Sequence, residues 1–242
     1  MRMDDNFIDF RCPHCTEAVS FSADTAGKIQ ECPECAEILI VPQQSSEFGH
    51  TIPIPFTTPR LILRRLAGGD WKDLLEFMSD DELFRYSESS PLGEEQIIQW
   101  LEADSAVKLT TPGAAFFLAI QLQAGGKVIG FVSLNFIDGL RQHASFDIVV
   151  SRGFQRQGFG TEAVNALLFF CFEAIALHRV TTSFDSRNVS ARRLFEKAGM
   201  RREGEFLKDR FLNGEWVDTV WLAMLSEECA KSRSSPPLQR PA

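Results

Sequence analysis

Four of the six cysteines lie in two short pairs near the start of the 242-residue chain. The pairs are CPHC (Cys12 and Cys15) and CPEC (Cys32 and Cys35), and sixteen residues separate them. In each pair a tight turn favoured by proline lets two thiolates converge on one ion, and two such turns complete a tetrahedral four-sulfur site. The spacing predicts a metal site, with zinc as the default ion and iron in a rubredoxin-like site as the alternative.

The segment around these cysteines is predicted to be a zinc-ribbon module over residues 1–42. FIDFRCP and EILIVP are typical of short strands beside the ligands. A module this small has too little core to fold without its metal. Acidic residues outnumber basic ones in it, which disfavours nucleic acid and leaves a protein partner or a structural role. His14 is expected to be a loop residue and not a fifth ligand.

A second candidate site is the glycine turn GFQRQGFGTEAV, from Gly153 to Val164. A strand is predicted to end near Val150 and a helix to begin within the turn, so the first N–H groups of that helix have no intrahelical partner. Glycines let an anion approach the backbone, and Arg152 and Arg156 add positive charge. The turn predicts a phosphate site. It lacks the third glycine of a dinucleotide fingerprint and the G-K-[S/T] ending of a P-loop.

The remaining sequence predicts an α/β fold, a mixed central sheet flanked by helices, over residues 56–228. The order of elements is β-α-α-β-β-β-α-β-α-β-β, with a hairpin turn at Ala124-Gly125-Gly126. Residues 43–55 are polar and then interrupted by proline, which predicts a linker. Residues 229–242 are predicted to be a disordered tail.

Composition narrows the class of protein. A hydrophobic content of 44% supports a real core, and a net charge of −8 argues against nucleic acid or an anionic membrane as partner. No run of about 18 apolar residues and no signal-peptide pattern is present, so the sequence predicts a cytoplasmic protein. Cys171 and Cys229 are expected to be inert packing residues.

Several ordered segments resemble the GNAT superfamily of acyl-CoA-dependent N-acetyltransferases, and most of all its ribosomal-protein N-terminal acetyltransferase branch. The resemblance covers roughly residues 57–228. The matching segments are TTPRLILRRL, FRYSESS, SFDIVVSRGFQRQGFGTEAV and HRVTTSFDSRNVSARRLFEKAGMRREG.

The resemblance implies acetyl-CoA as the acetyl donor and assigns residues to it. In this family the glycine turn binds the CoA pyrophosphate through backbone N–H groups, which implies Gln155, Arg156, Gln157, Gly158, Phe159 and Gly160. Thr161 adds a hydroxyl, whose alternative role is to cap the helix. Asn188 corresponds to an Asn near the pantetheine arm and is also placed to be the N-cap of the next helix. In GNAT proteins two central strands splay around the pantetheine, which implies Ile148, Val149 and Val150 beside the thioester.

Asp147 is the candidate proton acceptor, through a water molecule if necessary. Strand alternation places Phe146, Ile148 and Val150 on one face and Asp147 on the other. Its alternative role is a solvated carboxylate or an ammonium-binding group.

The usual acid of this family, a helical Tyr, is replaced here by Phe195. Ser186 and Ser190 are the alternatives for that role, and the leaving thiolate can also take its proton from solvent. Tyr86 is the chain's only tyrosine and is predicted to shape the acceptor pocket.

The sequence therefore predicts an N-acetyltransferase that moves an acetyl group to a primary amine, with a protein N-terminal α-amine as one candidate acceptor. The alternative is a non-catalytic acyl-CoA-binding module whose zinc ribbon docks a partner protein.

Overall fold

A single eight-stranded sheet forms the frame of the larger part of the chain. The computed structural model describes residues 6–52, 54–109, 113–137 and 142–231. Its strands are β1 (Phe7–Arg11), β2 (Ala18–Ser22), β3 (Ile29–Glu31), β4 (Ile38–Ile40), β5 (His50–Thr51), β6 (Phe56–Thr57), β7 (Leu61–Arg65), β8 (Phe116–Leu122), β9 (Val128–Phe136), β10 (His143–Val150), β11 (Arg179–Asp185), β12 (Arg201–Leu212) and β13 (Glu215–Leu225). Its helices are α1 (Trp71–Met78), α2 (Glu94–Ser105), α3 (Phe159–Phe169), α4 (Val189–Lys197) and α5 (Ser226–Lys231).

The strand order in the large sheet is β12-β13-β11-β10-β9-β8-β7-β6. Strands β10 and β11 run parallel, and every other neighbouring pair is antiparallel. From β7 onward the elements follow the predicted order, which confirms the mixed α/β fold. The short strand β6 and the helix α5 were not predicted, and α5 includes residues 229–231 of the predicted tail. Part of the predicted tail, residues 232–242, lies outside the described residues.

Two hydrophobic layers cover the two faces of the sheet. Helices α3 and α4 lie over one face, where Phe146, Leu167 and Phe195 are buried in the larger cluster. Helices α1 and α2 cover the other face, with Leu74 and Ile97 buried. Within the described residues, no helix is long and apolar enough to cross a membrane.

Asp70 occupies the N-cap position of α1, but its side chain makes no capping bond to that helix. Its carboxylate instead pairs with Arg64 at 2.8 Å and accepts from the N–H of Ala67. A bidentate guanidinium pair is a stronger partner for a largely buried carboxylate than a helix N–H group. Asp70 therefore ties β7 to the start of α1.

The N-terminal module consists of two small antiparallel sheets. Strands β1 and β2 form a hairpin, and β3, β4 and β5 form a second sheet. The second sheet reaches into the predicted linker, because β5 at His50–Thr51 pairs with β4. Ser46 and Glu47 also hydrogen-bond to β1. These bonds satisfy main-chain groups at the edges of short strands, so residues 45–51 are tied to the ribbon.

The module also packs against the core of the larger sheet. Ile29 of β3 is 3% exposed and belongs to the same buried cluster as Phe56 and Leu109. The Nζ group of Lys108 donates to the carbonyl of Ala36 at 2.6 Å. The two parts of the chain therefore share buried apolar surface.

This shared core predicts that a cavity at Ile29 destabilises the larger domain. All four tryptophans lie outside the module, at positions 71, 100, 216 and 221, so their fluorescence reports the larger domain alone. In urea denaturation, Ile29→Ala should lower the stability measured by tryptophan fluorescence by about 2–4 kcal/mol. The control is Val19→Ala, because Val19 is buried in the module's own cluster. Equal midpoints for the two variants would show that the module does not support the domain.

Candidate active site and metal centre

Strands β10 and β11 form a fork at the centre of the sheet. They pair only from His143 to Ser145, and β10 then continues to Val150 without a ladder partner on that side in the described chain. Three aromatic side chains fill the base of the fork. The Phe195 ring of α4 lies 5.6 Å from Phe146 on β10 and 5.6 Å from Phe184 on β11, and all three residues are buried. We call this cluster of three rings the wedge, and it lies where the two strands begin to separate.

The fork exposes main-chain groups of alternate residues in β10. The N–H of Ser151 donates to Ile129 in β9, so Val149, two residues earlier, also directs its N–H and C=O at β9. The main-chain groups of Ile148 and Val150 therefore face the fork. The Val150 carbonyl accepts a bond there from Gln155 Nε2 at 2.8 Å. Of the three predicted thioester neighbours, Val149 is the one whose main chain points away.

Close packing of β9 holds β10 in this position. A Cβ atom on Gly130 would lie 2.2 Å from the Val149 carbonyl oxygen, a distance no side chain tolerates. Glycine at this position lets the two backbones approach.

The glycine turn leads from the end of β10 into α3. Gly158 is the N-cap of α3 and has a left-handed φ of 85°, and no side chain caps the helix. Arg156 is also left-handed, with φ 59°. Thr161 consequently does not cap this helix. The amides at the start of α3 are left for an external acceptor, and the helix dipole favours a negative one.

Gly160, two residues later in the turn, is not required by close packing. A Cβ on Gly160 would meet Leu194 of α4 at 3.5 Å, which is an ordinary contact. Gly158 has a left-handed conformation that favours glycine, whereas Gly160 has room for a methyl group.

Glu162 lies in the first turn of α3, and its carboxylate binds two residues of the segment before β7. It accepts from Thr58 Oγ1 at 2.5 Å and from Arg60 Nε at 2.7 Å. Arg60 in turn donates to the carbonyl of Gln157. Sequence reasoning missed Arg60, because nothing in a strand-edge arginine indicates a contact about a hundred residues away along the chain.

Asn188 is the N-cap of α4, as predicted, and its Oδ1 accepts from the N–H of Ala191 at 3.0 Å. The cap uses only the side-chain oxygen, which leaves the Nδ2 group able to donate to a ligand.

Asp147 lies on the opposite face of β10 from Phe146, as strand alternation predicted. Protein around its exposed carboxylate displaces part of the hydration shell, and this desolvation raises the pKa of Asp147 above its usual value. The positive charge of Arg210 and a hydrogen bond from Ser133 favour the ionised form, whereas the negative charge of Glu88 opposes it. A carboxylate with a raised pKa is a better proton acceptor than an ordinary Asp.

Arg210, whose charge acts on Asp147, also contacts two other residues. Its Nη2 donates to Ser183 Oγ of β11 at 2.6 Å, and its Nε lies 3.6 Å from Glu88. The pattern of β12 offered no signal for Arg210, since its position depends on a register shift between Phe206 and Arg210.

An open groove of about 700 Å³ adjoins these charges. It lies between the loop that follows α1 and the turn of the β12–β13 hairpin, and its carboxylates are Asp81, Glu82 and Glu88. Glu88 therefore faces the groove and also influences Asp147. Tyr86 belongs to the same loop and its ring lies 5.9 Å from the Arg187 guanidinium beyond β11.

Phe195 takes the place of the expected tyrosine and carries no proton. Ser186 is half-buried and Ser190 is exposed at the start of α4. Within the part of the chain that the structure describes, neither hydroxyl hydrogen-bonds to Asp147 or to the strands of the fork.

The four cysteines of the N-terminal module lie together, and their sulfurs are all within 4.8 Å of one another. The distances from Cys12 to Cys35 and from Cys15 to Cys32 are both 3.8 Å. A tetrahedral ion with metal–sulfur bonds of about 2.3 Å requires sulfur separations of about 3.8 Å. The cluster therefore has the size of a four-thiolate metal site. His14 is not part of it, and its ring pairs with the Ile38 carbonyl.

The two cysteine turns share one backbone design. The N–H of Thr16 bonds to the Cys12 carbonyl and the N–H of Ala36 bonds to the Cys32 carbonyl. Thr16 and Ala36 are both left-handed, with φ 64° and 57°. This repetition points four sulfurs at one centre.

The electrostatics of the cluster call for a cation. Burial disfavours the Cys12 thiolate, but N–H groups of Cys15 and His14 donate to its sulfur and the pKa of Cys12 is lowered to about 7. The amide of Glu17 favours the Cys15 thiolate, yet burial and the neighbouring sulfurs outweigh it and raise the pKa of Cys15 to about 12. A bound cation would favour the thiolate form of all four cysteines.

Cys171 is fully buried, and within the described residues neither Cys171 nor Cys229 forms a disulfide bond. Burial raises the pKa of Cys171 and keeps its thiol protonated, which fits the predicted packing role.

Comparison with known proteins identifies the family of the larger domain. A family model for the acetyltransferase (GNAT) domain matches residues 60–201. The uncharacterized N-acetyltransferase YnaD of Bacillus subtilis (strain 168) is 29% identical over 174 residues, which are 71% of this chain and 97% of that protein.

Two solved structures share the fold. An acetyltransferase (GNAT family) from Bacillus anthracis is 25% identical with a TM-score of 0.66, and the match covers 72% of this chain and 99% of that one. A spermidine N-acetyltransferase from Vibrio cholerae, in complex with CoA and spermine, is 22% identical with a TM-score of 0.63 and the same coverage. The cysteine cluster lies outside residues 60–201.

Proposed function

Because the chain belongs to the GNAT acetyltransferase family, we propose that it transfers the acetyl group of acetyl-CoA to a primary amine by direct attack of the amine on the thioester. One observation carries this proposal. The open edge of β10 runs directly into an uncapped helix N-terminus, so one track offers main-chain groups for an amide-bearing arm and then for an anion.

The residues of this track fit the two chemical parts of CoA. The amides at the start of α3, with Gly158 as N-cap, suit a pyrophosphate. The main-chain groups of Ile148 and Val150 suit the amide groups of pantetheine, in the way that a further strand pairs with a sheet edge. Asn188 Nδ2 is a further donor on the far side of the fork. The carbonyl of Val150 is held by Gln155, which an entering arm would displace or contact.

In the proposed reaction the nitrogen of a neutral amine bonds to the carbonyl carbon of the thioester, and Asp147 accepts the proton that this nitrogen loses, directly or through water. The carbon–sulfur bond of the resulting tetrahedral intermediate then breaks, and the sulfur leaves with the electron pair. A main-chain N–H on the open edge of β10 is the candidate donor to the oxyanion. Since Phe195 has no proton, solvent is the proposed source of the proton for the thiolate.

The open groove is the proposed entry for the acceptor. Its three carboxylates outnumber its one cation, Arg85, and with the wall formed by Phe211 they favour a cationic amine that carries a longer chain. A peptide with a free α-amine fits this description, and we propose a protein N-terminus as one acceptor. The spermine bound to the Vibrio cholerae relative makes polyamines the second class to test.

We propose that the four cysteines hold one zinc ion with a structural role. Four thiolates close a tetrahedral site and leave no position for a substrate. Zinc would supply the folding energy that the small module lacks. Because the module shares Ile29 with the core of the domain, its folding also supports the enzyme.

The glycine turn gives a test of the CoA assignment. Gly158→Val should weaken acetyl-CoA binding by about a hundredfold or more in calorimetry, because the left-handed N-cap and the aim of its amide are lost. The matched control is Gly160→Ala, whose methyl group has room beside Leu194 and should leave affinity within about threefold. Unchanged affinity in Gly158→Val, with a normal thermal melt, would remove the turn from the CoA site.

The role of Asp147 can be tested kinetically. The assay measures the release of CoA from acetyl-CoA with N-terminal peptides and polyamines as acceptors. Asp147→Asn should lower kcat by about two to four orders of magnitude and keep the KM for acetyl-CoA. Because the pKa of Asp147 is raised, activity should be lost as pH falls through that pKa. Glu88→Gln removes an opposing negative charge, so the acid limb of kcat/KM should move to lower pH. Arg210→Gln should move it to higher pH.

Glu82→Gln is the control for these shifts. Glu82 lies on the same loop as Glu88 and pairs with Arg85 at 3.8 Å. The acid limb of the pH profile of kcat/KM in Glu82→Gln should match that of the parent. Full turnover in Asp147→Asn, or Glu88 and Arg210 variants that shift the limb in one direction, would contradict the role of Asp147 as base.

Metal analysis tests the ribbon. Protein purified without chelator should contain one zinc per chain, and Cys32→Ser should lose it while Cys171→Ser keeps it. Iron in its place would give a coloured thiolate complex and correct the metal but not the site. Protein with neither metal would end the proposal.

A further inference from the structure

Arg60 connects the start of β7 to the glycine turn through four contacts. Its Nε pairs with Glu162 at 2.7 Å, and its N–H donates to the same carboxylate at 2.9 Å. Its Nη1 donates to the carbonyl of Gln157 at 3.0 Å. Its guanidinium carbon lies 4.3 Å from the centre of the Phe159 ring. One side chain thus contacts the residues on both sides of Gly158.

The contact with Gln157 fixes one peptide plane. In a trans peptide the carbonyl oxygen and the next N–H point in opposite directions. Holding the Gln157 carbonyl toward Arg60 therefore directs the Gly158 N–H away from Arg60 and out of the turn. That amide is the first of the N–H groups in the proposed pyrophosphate cradle.

The turn needs such an external brace. Gly158 and Arg156 are both left-handed, and the residues from Gln155 to Gly158 are exposed. Glycine gains more conformational freedom than any other residue when it is released. The side chain of Gln157 supplies only a local bond to the Gly153 carbonyl, within the turn itself.

The charge of Arg60 is already matched. Glu162 accepts two bonds from Arg60, and its side chain is only 15% exposed. The net contribution of this ion pair to an approaching anion is small, so the guanidinium acts mainly through its shape. Its fork reaches Glu162 and Gln157 at the same time, which the single ammonium of a lysine cannot reproduce.

We infer that Arg60 is a positioning residue that holds the Gln157–Gly158 peptide plane so that the Gly158 amide faces the pyrophosphate of acetyl-CoA. This inference rests on the proposed function. The contacts of Arg60 lie at the glycine turn and not at Asp147 or the fork, so the expected effect is on donor affinity alone.

The test compares two acetyl donors in the full-length protein. Arg60→Ala should raise the KM and the calorimetric Kd for acetyl-CoA by about tenfold to a hundredfold, the effect of one lost charge-assisted hydrogen bond, and leave kcat and the KM for the amine near the parent values. S-acetylpantetheine has no pyrophosphate, so parent and Arg60→Ala should use it equally well. A merely structural role would lower activity with both donors.

Two further variants separate shape from charge. Arg60→Lys keeps the charge and should still bind acetyl-CoA poorly, whereas affinity restored by lysine would show that charge and not geometry matters. Arg202→Ala removes an equal charge from an exposed pair with Glu205 and should behave as the parent. If the parent binds no acetyl-CoA, the proposed function fails. If the parent binds and Arg60→Ala binds within twofold of it, only this inference is overturned.

Discussion

The separation of two parallel strands is the constraint on which the rest of this structure depends. β10 and β11 pair over three residues and then diverge around the rings of Phe146, Phe184 and Phe195. A continuous ladder would have used the main-chain groups of Ile148 and Val150 inside the sheet. The separation of the strands leaves these groups at an internal edge, which opens where α3 begins. The sheet therefore lacks ladder hydrogen bonds at the place where we propose that CoA binds.

The packing of these rings also bears on which residue can supply a proton. Phe195 is buried between two other aromatic rings, where a hydroxyl would need a partner that these rings do not supply. The residue at the position of the expected acid is therefore unsuited to deliver a proton. The proposed proton acceptor lies on the other face of β10, where Asp147 is close to Ser133, Arg210 and Glu88.

Sequence reasoning found the features that depend on local pattern. Alternation placed Asp147 opposite Phe146, the glycine turn predicted a helix N-terminus, and cysteine spacing predicted the sulfur cluster that the structure brings within 4.8 Å. It missed what depends on distant contacts. Arg60 braces the turn across about a hundred residues of chain, and Arg210 reaches its site through an irregular strand. Ile29 looked like a residue of a separate ribbon, because no local pattern shows which core an isoleucine joins.

Amide hydrogen exchange followed by NMR, with and without CoA, tests the central claim most directly. If the fork and the helix N-terminus form one ligand track, CoA should slow exchange at the amides of Ile148, Val150 and Gly158. The amide of Val149 faces β9 and should be slow in both states, which provides an internal reference. CoA that binds without protecting the Ile148 and Val150 amides would contradict the account.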